Sequence, residues 1–352
     1  MVRLARAELF DPSEVAILHV IGRVTRRCFL FGFDPVSGKN FDHRKVWIEE
    51  QLKTQAANFG IDLLSMAILS NHFHLILRSR PDVVATWDDT EVARRWLMLC
   101  PKRKNEDRSA KEPNEFELNS IRNDPEKVTT IRTRLSDVAW WMRLLCQNIG
   151  TRANKEDREV GKFFQGRYRA VRILDEETLL ACSAYVDLNL IRAAMAETIE
   201  LSDFTSAQRR IESIQALSKD PSIESASLRD SFLAPLTIDE RNDPIGPCAS
   251  RSGKRCSDKG FLSLSTLDYL ELLDETARIT RADKAGATAM DLPPIFERLK
   301  LDVGYWKLLV KDFGRLFSLV AGAPTNVYEM RSLISKRRFN LKRLDRQLAA
   351  TS

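Results

Sequence analysis

No two of the six cysteines (Cys28, Cys100, Cys146, Cys182, Cys248 and Cys256) are spaced as CxxC. Spacing and count therefore argue against a zinc site, even at Cys248 and Cys256 in a polar stretch. No apolar run approaches the length of a transmembrane helix. The first apolar run is short and flanked by Glu8, Asp11 and Glu14, unlike a secretory signal. These absences predict a cytoplasmic protein with reduced thiols and no membrane partner. No internal repeat is visible. Histidine and tyrosine are scarce: His19, His43, His72 and His74, and Tyr168, Tyr185, Tyr269, Tyr305 and Tyr328.

What is present is an ordinary globular composition, 43% hydrophobic and 30% charged over 352 residues, long enough for two domains. The net charge of +6 and pI near 9.0 are compatible with nucleic acid without demonstrating it. Between 331 and 347, seven basic residues, Arg337 and Arg338 among them, face Asp345 alone. That local excess equals the whole-chain +6. Two readings of this basic end stay open: a DNA-binding or dimer-forming surface, or a solvated helix face.

Val-, Ile- and Phe-rich residues 15–32 predict one or two strands, and 41–60 a helix stopped by Gly60. Residues 61–79 predict a tight strand pair broken near Ser70–Asn71, and 82–101 a helix. The charged stretch 102–128 reads as a solvated, partly disordered insertion. A helix is expected at about 135–155, strand character over 161–174, and a helix capped by Asp175 running to about Met195. The order is β-α-β-β-α-β-α, an α+β class close to the ferredoxin-like split βαβ pattern with an antiparallel sheet. It places a first domain over residues 1–200 and a mainly helical region over 201–352 with a linker at 241–260.

Two of the four histidines fall at i and i+2 in Asn71-His72-Phe73-His74-Leu75-Ile76-Leu77. On a strand they share one face, with Arg78 further along it, while Phe73, Leu75 and Leu77 point to the core. Two adjacent imidazoles suit a metal, and two half-exposed histidines on an open sheet face are the plainer alternative. Tyr185 and Asn189 are i and i+4 in the predicted last helix, beside an apolar side of Leu179, Cys182 and Val186. An amide there can supply an oxygen ligand and hold the phenol beside the metal. An ordinary half-buried helix tyrosine is the competing reading. The phenol, with a pKa of about 10, is a poor nucleophile until a cation stabilises its anion, a role open to Arg167 or Arg169.

Taken together, three stretches resemble single-tyrosine HUH transposases, in particular the REP-associated tyrosine transposases. They are Asn71-His72-Phe73-His74-Leu75, Phe164-Gln165-Gly166-Arg167-Tyr168, and Tyr185-Val186-Asp187-Leu188-Asn189 with Arg192-Ala193. Weaker likeness appears at His19-Val20 and Arg23. The resemblance covers about residues 13–200. It implies that His72, His74 and Asn189 hold a divalent metal, Mg2+ or Mn2+, although imidazole suits manganese better than magnesium. It implies that Tyr185 attacks a scissile phosphate of single-stranded DNA beside a hairpin, giving a 5′-phosphotyrosine link and a free 3′-hydroxyl. It also implies a bacterial, nucleoid-associated setting. Arg23, Arg78, Arg167, Tyr168, Arg169, Arg337 and Arg338 are the expected DNA contacts. Leu190 stands where the family often has proline after the asparagine. Tyr168, between two arginines on a strand, is the rival nucleophile. Competing readings are a catalytically silent DNA-binding derivative, a replication or mobilisation endonuclease, and an RNA-binding ferredoxin-like module. The last would place aromatics rather than histidines on the sheet face.

Overall fold

The computed structural model describes residues 11–25, 28–107, 109–239 and 246–280, together with 320, 321, 327 and 330. The basic end, with Arg337 and Arg338, lies outside the described residues. Strand β1 (Ile17–Arg23) leads to helix α1 (His43–Asn58), then β2 (Ile61–Ile68) and β3 (His72–Ser79). Short helices α2 (Pro81–Ala85) and α3 (Asp89–Leu99) follow, then α4 (Glu115–Arg122), α5 (Pro125–Ser136) and α6 (Val138–Asp157). The chain returns through β4 (Arg169–Ile173), α7 (Glu176–Asp187), α8 (Asn189–Arg192), α9 (Ser206–Lys219) and α10 (Thr266–Thr280). Val320–Ala321 adds a two-residue β5.

The sheet order is β2-β3-β1-β4-β5. The first four strands are antiparallel to their neighbours, and β5 runs parallel to β4. This is the α+β, ferredoxin-like arrangement expected from the element order. Among the described residues no helix is long and apolar enough to cross a membrane.

The pleat sorts β1 and β3 into two faces. Leu18, Val20, Phe73, Leu75 and Leu77 enter one core with residues of α1, α3, α5 and α6. Gly22 stands opposite Phe73 in the β1–β3 register. A Cβ on it would lie 2.3 Å from the Phe73 ring, so the strand must carry glycine there for the ring to lie flat across it. On the other face Ile76, Val171 and Ile173 pack with α7, Ala207 of α9 and Leu272 and Leu273 of α10. Helices therefore cover both faces. The division expected at residue 200 is not a gap in packing, since α9 and α10 share that core with the sheet.

Several sequence expectations need correction. The stretch 102–128, expected to be a solvated and partly disordered insertion, is ordered into helices over much of its second half. It contains α4 and the start of α5. Asn114 and Glu117 form a reciprocal capping box, and Asp124 caps α5 ahead of Pro125. Strand character over 161–174 contracts to β4. The helix expected to reach Met195 stops at Asp187 and restarts at Asn189, although Asp175 caps it as predicted, accepting from the Thr178 N–H at 2.8 Å. In the part of the expected helical region that runs from 201 to 239, only Ser206–Lys219 form an extended α-helix. The part of the supposed linker that is described, 246–260, is docked. Asp62, fully buried in β2, accepts from Ser257 N–H at 3.0 Å and pairs with Arg78 and Arg80, which also donate to backbone carbonyls of this segment.

Candidate active site

The β2–β3 turn closes with Leu69 N–H donating to the His72 carbonyl at 2.9 Å, so β3 begins at the histidine pair. His72 and His74 share a face as their spacing requires, with ring centres 5.0 Å apart. Helix α7 lies across that face. Its Tyr185 ring sits 5.6 Å from His74, edge-on. Asn189, just beyond the break between α7 and α8, brings Nδ2 to 3.4 Å from His74 Nε2 and hydrogen-bonds the Tyr185 hydroxyl. His72, His74, Tyr185 and Asn189, proposed from separate stretches of sequence, thus converge.

A third imidazole belongs to the cluster. His19, on β1, is 1% exposed, and its Nε2 lies 2.9 Å from His74 Nδ1. Its ring stacks on His74 at 5.2 Å and meets Tyr185 edge-on at 6.0 Å. The sequence reading touched His19 only as a weak likeness. The signal that could have found it is the antiparallel register. Ile21 pairs with His74, so His19 lies diagonally beside it on the same face. Arg192, at the end of α8, holds its guanidinium 5.3 Å above the Tyr185 ring.

Burial and cationic neighbours keep these imidazoles neutral. His72 is lowered to about 4, mainly by burial and then by Arg23. His19 is lowered to about 3 by burial and the field of Arg169. His74 falls well below its ordinary value, by burial first and then by His19, His72, Arg23 and Arg169. Tyr185 is pushed up by burial, against opposing contributions from Asn189, Arg192 and Arg169. The phenol is therefore protonated at rest and needs added positive charge to act as a nucleophile.

Among the described residues no group of three His, Cys, Asp or Glu side chains is poised to hold a metal ion. The donors that are present do fit one when the amide is counted. His72 Nδ1 donates to Asn71 Oδ1 at 2.6 Å, leaving the Nε2 lone pair. His74 Nδ1 is engaged by His19, leaving Nε2 facing Asn189. Neutral imidazoles whose second nitrogen is fixed by a partner are the usual form of metal-binding histidines. A flip of the Asn189 amide would present its oxygen instead of its nitrogen.

The expected DNA contacts divide. Arg23 and Arg169 lie close enough to act electrostatically on the histidines. Arg167 and Tyr168 line a cavity with Trp140 and Arg143, and Tyr168 packs on the Phe73 side of the sheet. The rival nucleophile is thus on the wrong face to meet His72 and His74. Arg78 is a correction: it is 7% exposed, and its nitrogens donate to Asp62 and to the carbonyls of Gly260 and Lys259. It ties the strand to the docked segment.

No protein-family model and no curated protein matches the chain. A solved structure described as a REP-associated tyrosine transposase bound to a REP hairpin is similar over 56% of this chain and 80% of its own, at 8% sequence identity and a TM-score of 0.33. A likeness at that score carries no weight for the chemistry, which rests on the side chains themselves.

Proposed function

We propose that this chain is a metal-dependent single-strand DNA transferase, a transposase that cuts and rejoins DNA beside hairpins through Tyr185. The observation that carries this reading is the convergence of two neutral imidazoles, one amide and one phenol on a single sheet face. His72, His74 and Asn189 would hold a divalent ion, Mg2+ or Mn2+. Bound there, the ion supplies Lewis-acid polarisation of the scissile phosphate. Tyr185 forms the new bond from its phenolic oxygen to phosphorus, and the bond to the 3′-oxygen breaks. The phenol proton passes to solvent and the departing oxygen takes one up, leaving a 3′-hydroxyl. The phosphodiester is kept as a phosphotyrosine, so the reverse attack by another 3′-hydroxyl rejoins a strand. Arg192, over the phenol ring, and Arg169 favour the phenolate electrostatically. The sequence resemblance supports hairpin-flanked DNA as the substrate.

The test is incubation of the chain with a pool of labelled single-stranded hairpins and Mn2+ or Mg2+, followed by denaturing electrophoresis. A covalent adduct that disappears in Tyr185→Phe and with chelator is the expected result. Cleavage that survives Tyr185→Phe would remove the nucleophile from the scheme. Binding without any adduct in either metal would leave a silent DNA-binding protein.

A further inference from the structure

Arg169 opens β4, and Arg167 and Tyr168 precede it in the bend that leads into the strand. Arg169 turns toward the histidines and Tyr185, where its charge is felt. Tyr168 turns to the opposite face and, with Arg167, enters the wall of a cavity of about 500 Å3. Helix α6 supplies the other wall through Trp140, Met142, Arg143 and Cys146. That volume lies within the range of about 300–1,000 Å3 usual for small-ligand sites. Among the described residues that line it, two are arginines and none is acidic. Arg143 is exposed, and its guanidinium lies 4.6 Å from the centre of the Trp140 ring; Arg134 lies 4.4 Å from the same ring.

Two half-buried aromatic rings flanked by exposed arginines match what an unpaired nucleotide needs: π-surfaces for the base and cations for the phosphate. The flat guanidinium already on the indole is itself a stacking surface for a base. We propose that this cavity is a second DNA subsite, which captures one unpaired nucleobase of the strand whose phosphate is presented to Tyr185. The base stacks against Trp140 and Tyr168, and Arg143 and Arg167 take the flanking phosphates. The two sites sit on opposite faces of the sheet, joined around the end of β4 by Arg167 and Arg169. The strand therefore bends around that end, with the aromatic cavity as an anchor away from the chemistry. This inference rests on the strand-transfer reading for the choice of DNA as ligand.

The probe is a fluorescein-labelled dT oligomer of about a dozen nucleotides, within the usual span of about 4–16 nucleotides for a single-strand groove. Binding is measured by anisotropy at low salt on the full-length Tyr185→Phe chain, so that no covalent step intervenes. Trp140→Leu and Tyr168→Leu should each weaken binding about tenfold, as expected for losing one stacked base. Since either variant could disturb packing, Arg143→Gln, at an exposed position, provides a second arm and should weaken binding and lower the salt dependence by about one phosphate contact. Photocrosslinking of an iododeoxyuridine-substituted oligomer should map to 139–146 or 166–168. Crosslinks confined to other peptides, unchanged affinity in folded Trp140→Leu, or tighter binding of the matching rU oligomer would overturn the proposal. Failure of the subsite with adducts still forming on Tyr185 leaves the transferase intact. Crosslinks to Trp140 without adducts in any metal would sink the transferase and keep the subsite.

Discussion

The two faces of one strand, β3, do different work. Phe73, Leu75 and Leu77 face a continuous apolar core, each fully buried. His72 and His74, the alternate residues, face a cluster of imidazoles, a phenol and an amide under α7. The first face is repaid throughout by burying hydrocarbon, whereas the second is repaid only beyond the histidines, where Ile76 joins the core under α7. The second takes neutral polar rings out of water and satisfies them with one another, an arrangement with little to offer stability unless something else binds there. The contrast teaches that the strand was placed by its odd-numbered residues, leaving the even-numbered histidines to chemistry.

The largest effect expected from breaking this contrast is on stability. Phe73→Ala should cost about 3–5 kcal/mol, because the ring is buried against Gly22 and the α1–α6 side of the sheet. His74→Ala, one residue along, should cost much less in denaturant unfolding and yet abolish metal-dependent adduct formation. Equal destabilisation by the two changes would mean that the histidine face is simply a second core.

Where periodicity and chemistry coincide, the sequence was legible. The i, i+2 histidines fixed both their shared face and the core direction of Phe73, and Asp175 marked the start of α7. The antiparallel order of β1 to β4 followed from element order alone. What stayed hidden depended on contacts distant in sequence. His19 becomes part of the site only through the β1–β3 register, and Arg78 looked available because its partner Asp62 and the carbonyls of Lys259 and Gly260 cannot be paired with it from sequence. The stretch 102–128 was misread for a different reason. Its high charge suggested disorder, while its capping signals, Asn114 with Glu117 and Asp124 with Pro125, were local and readable. The break at Leu188 was also missed, because the i, i+4 relation of Tyr185 and Asn189 looks the same whether or not the helix is continuous.

A finer test of the histidine face concerns His19, which touches His74 rather than the reacting atoms and so acts as a positioning residue. For His74 Nε2 to carry a free lone pair, its Nδ1 must bear the proton and donate it to His19 Nε2. Nitrogen NMR of the metal-free chain should show His74 in that tautomer. In His19→Phe, the tautomer should relax toward the Nε2–H form, and Mn2+ affinity should fall about 10–100-fold while the fold is retained. An unchanged tautomer in His19→Phe would make the 2.9 Å contact a packing coincidence.

The smallest expected effect is the pH dependence of stability in chelator. His19 and His72 ordinarily titrate near 6.5, and in the fold they are lowered to about 3 and about 4, chiefly by burial. Below 6.5 the unfolded chain binds protons that the folded chain refuses. Their lowered proton affinity therefore costs nothing at neutral pH, and stability is lost as the pH falls from 6.5 toward 4, by up to about 1.4 kcal/mol per pH unit for each histidine. His74, lowered in the same direction, adds to the loss. His19→Gln removes one of these groups, so melting temperature plotted against pH should decline less steeply than in the parent chain. The apolar face has no titrating side chain among Phe73, Leu75 and Leu77. Its variant Leu75→Val should therefore lower the whole curve without changing its slope, so an altered slope there would show that the two faces are coupled rather than separate.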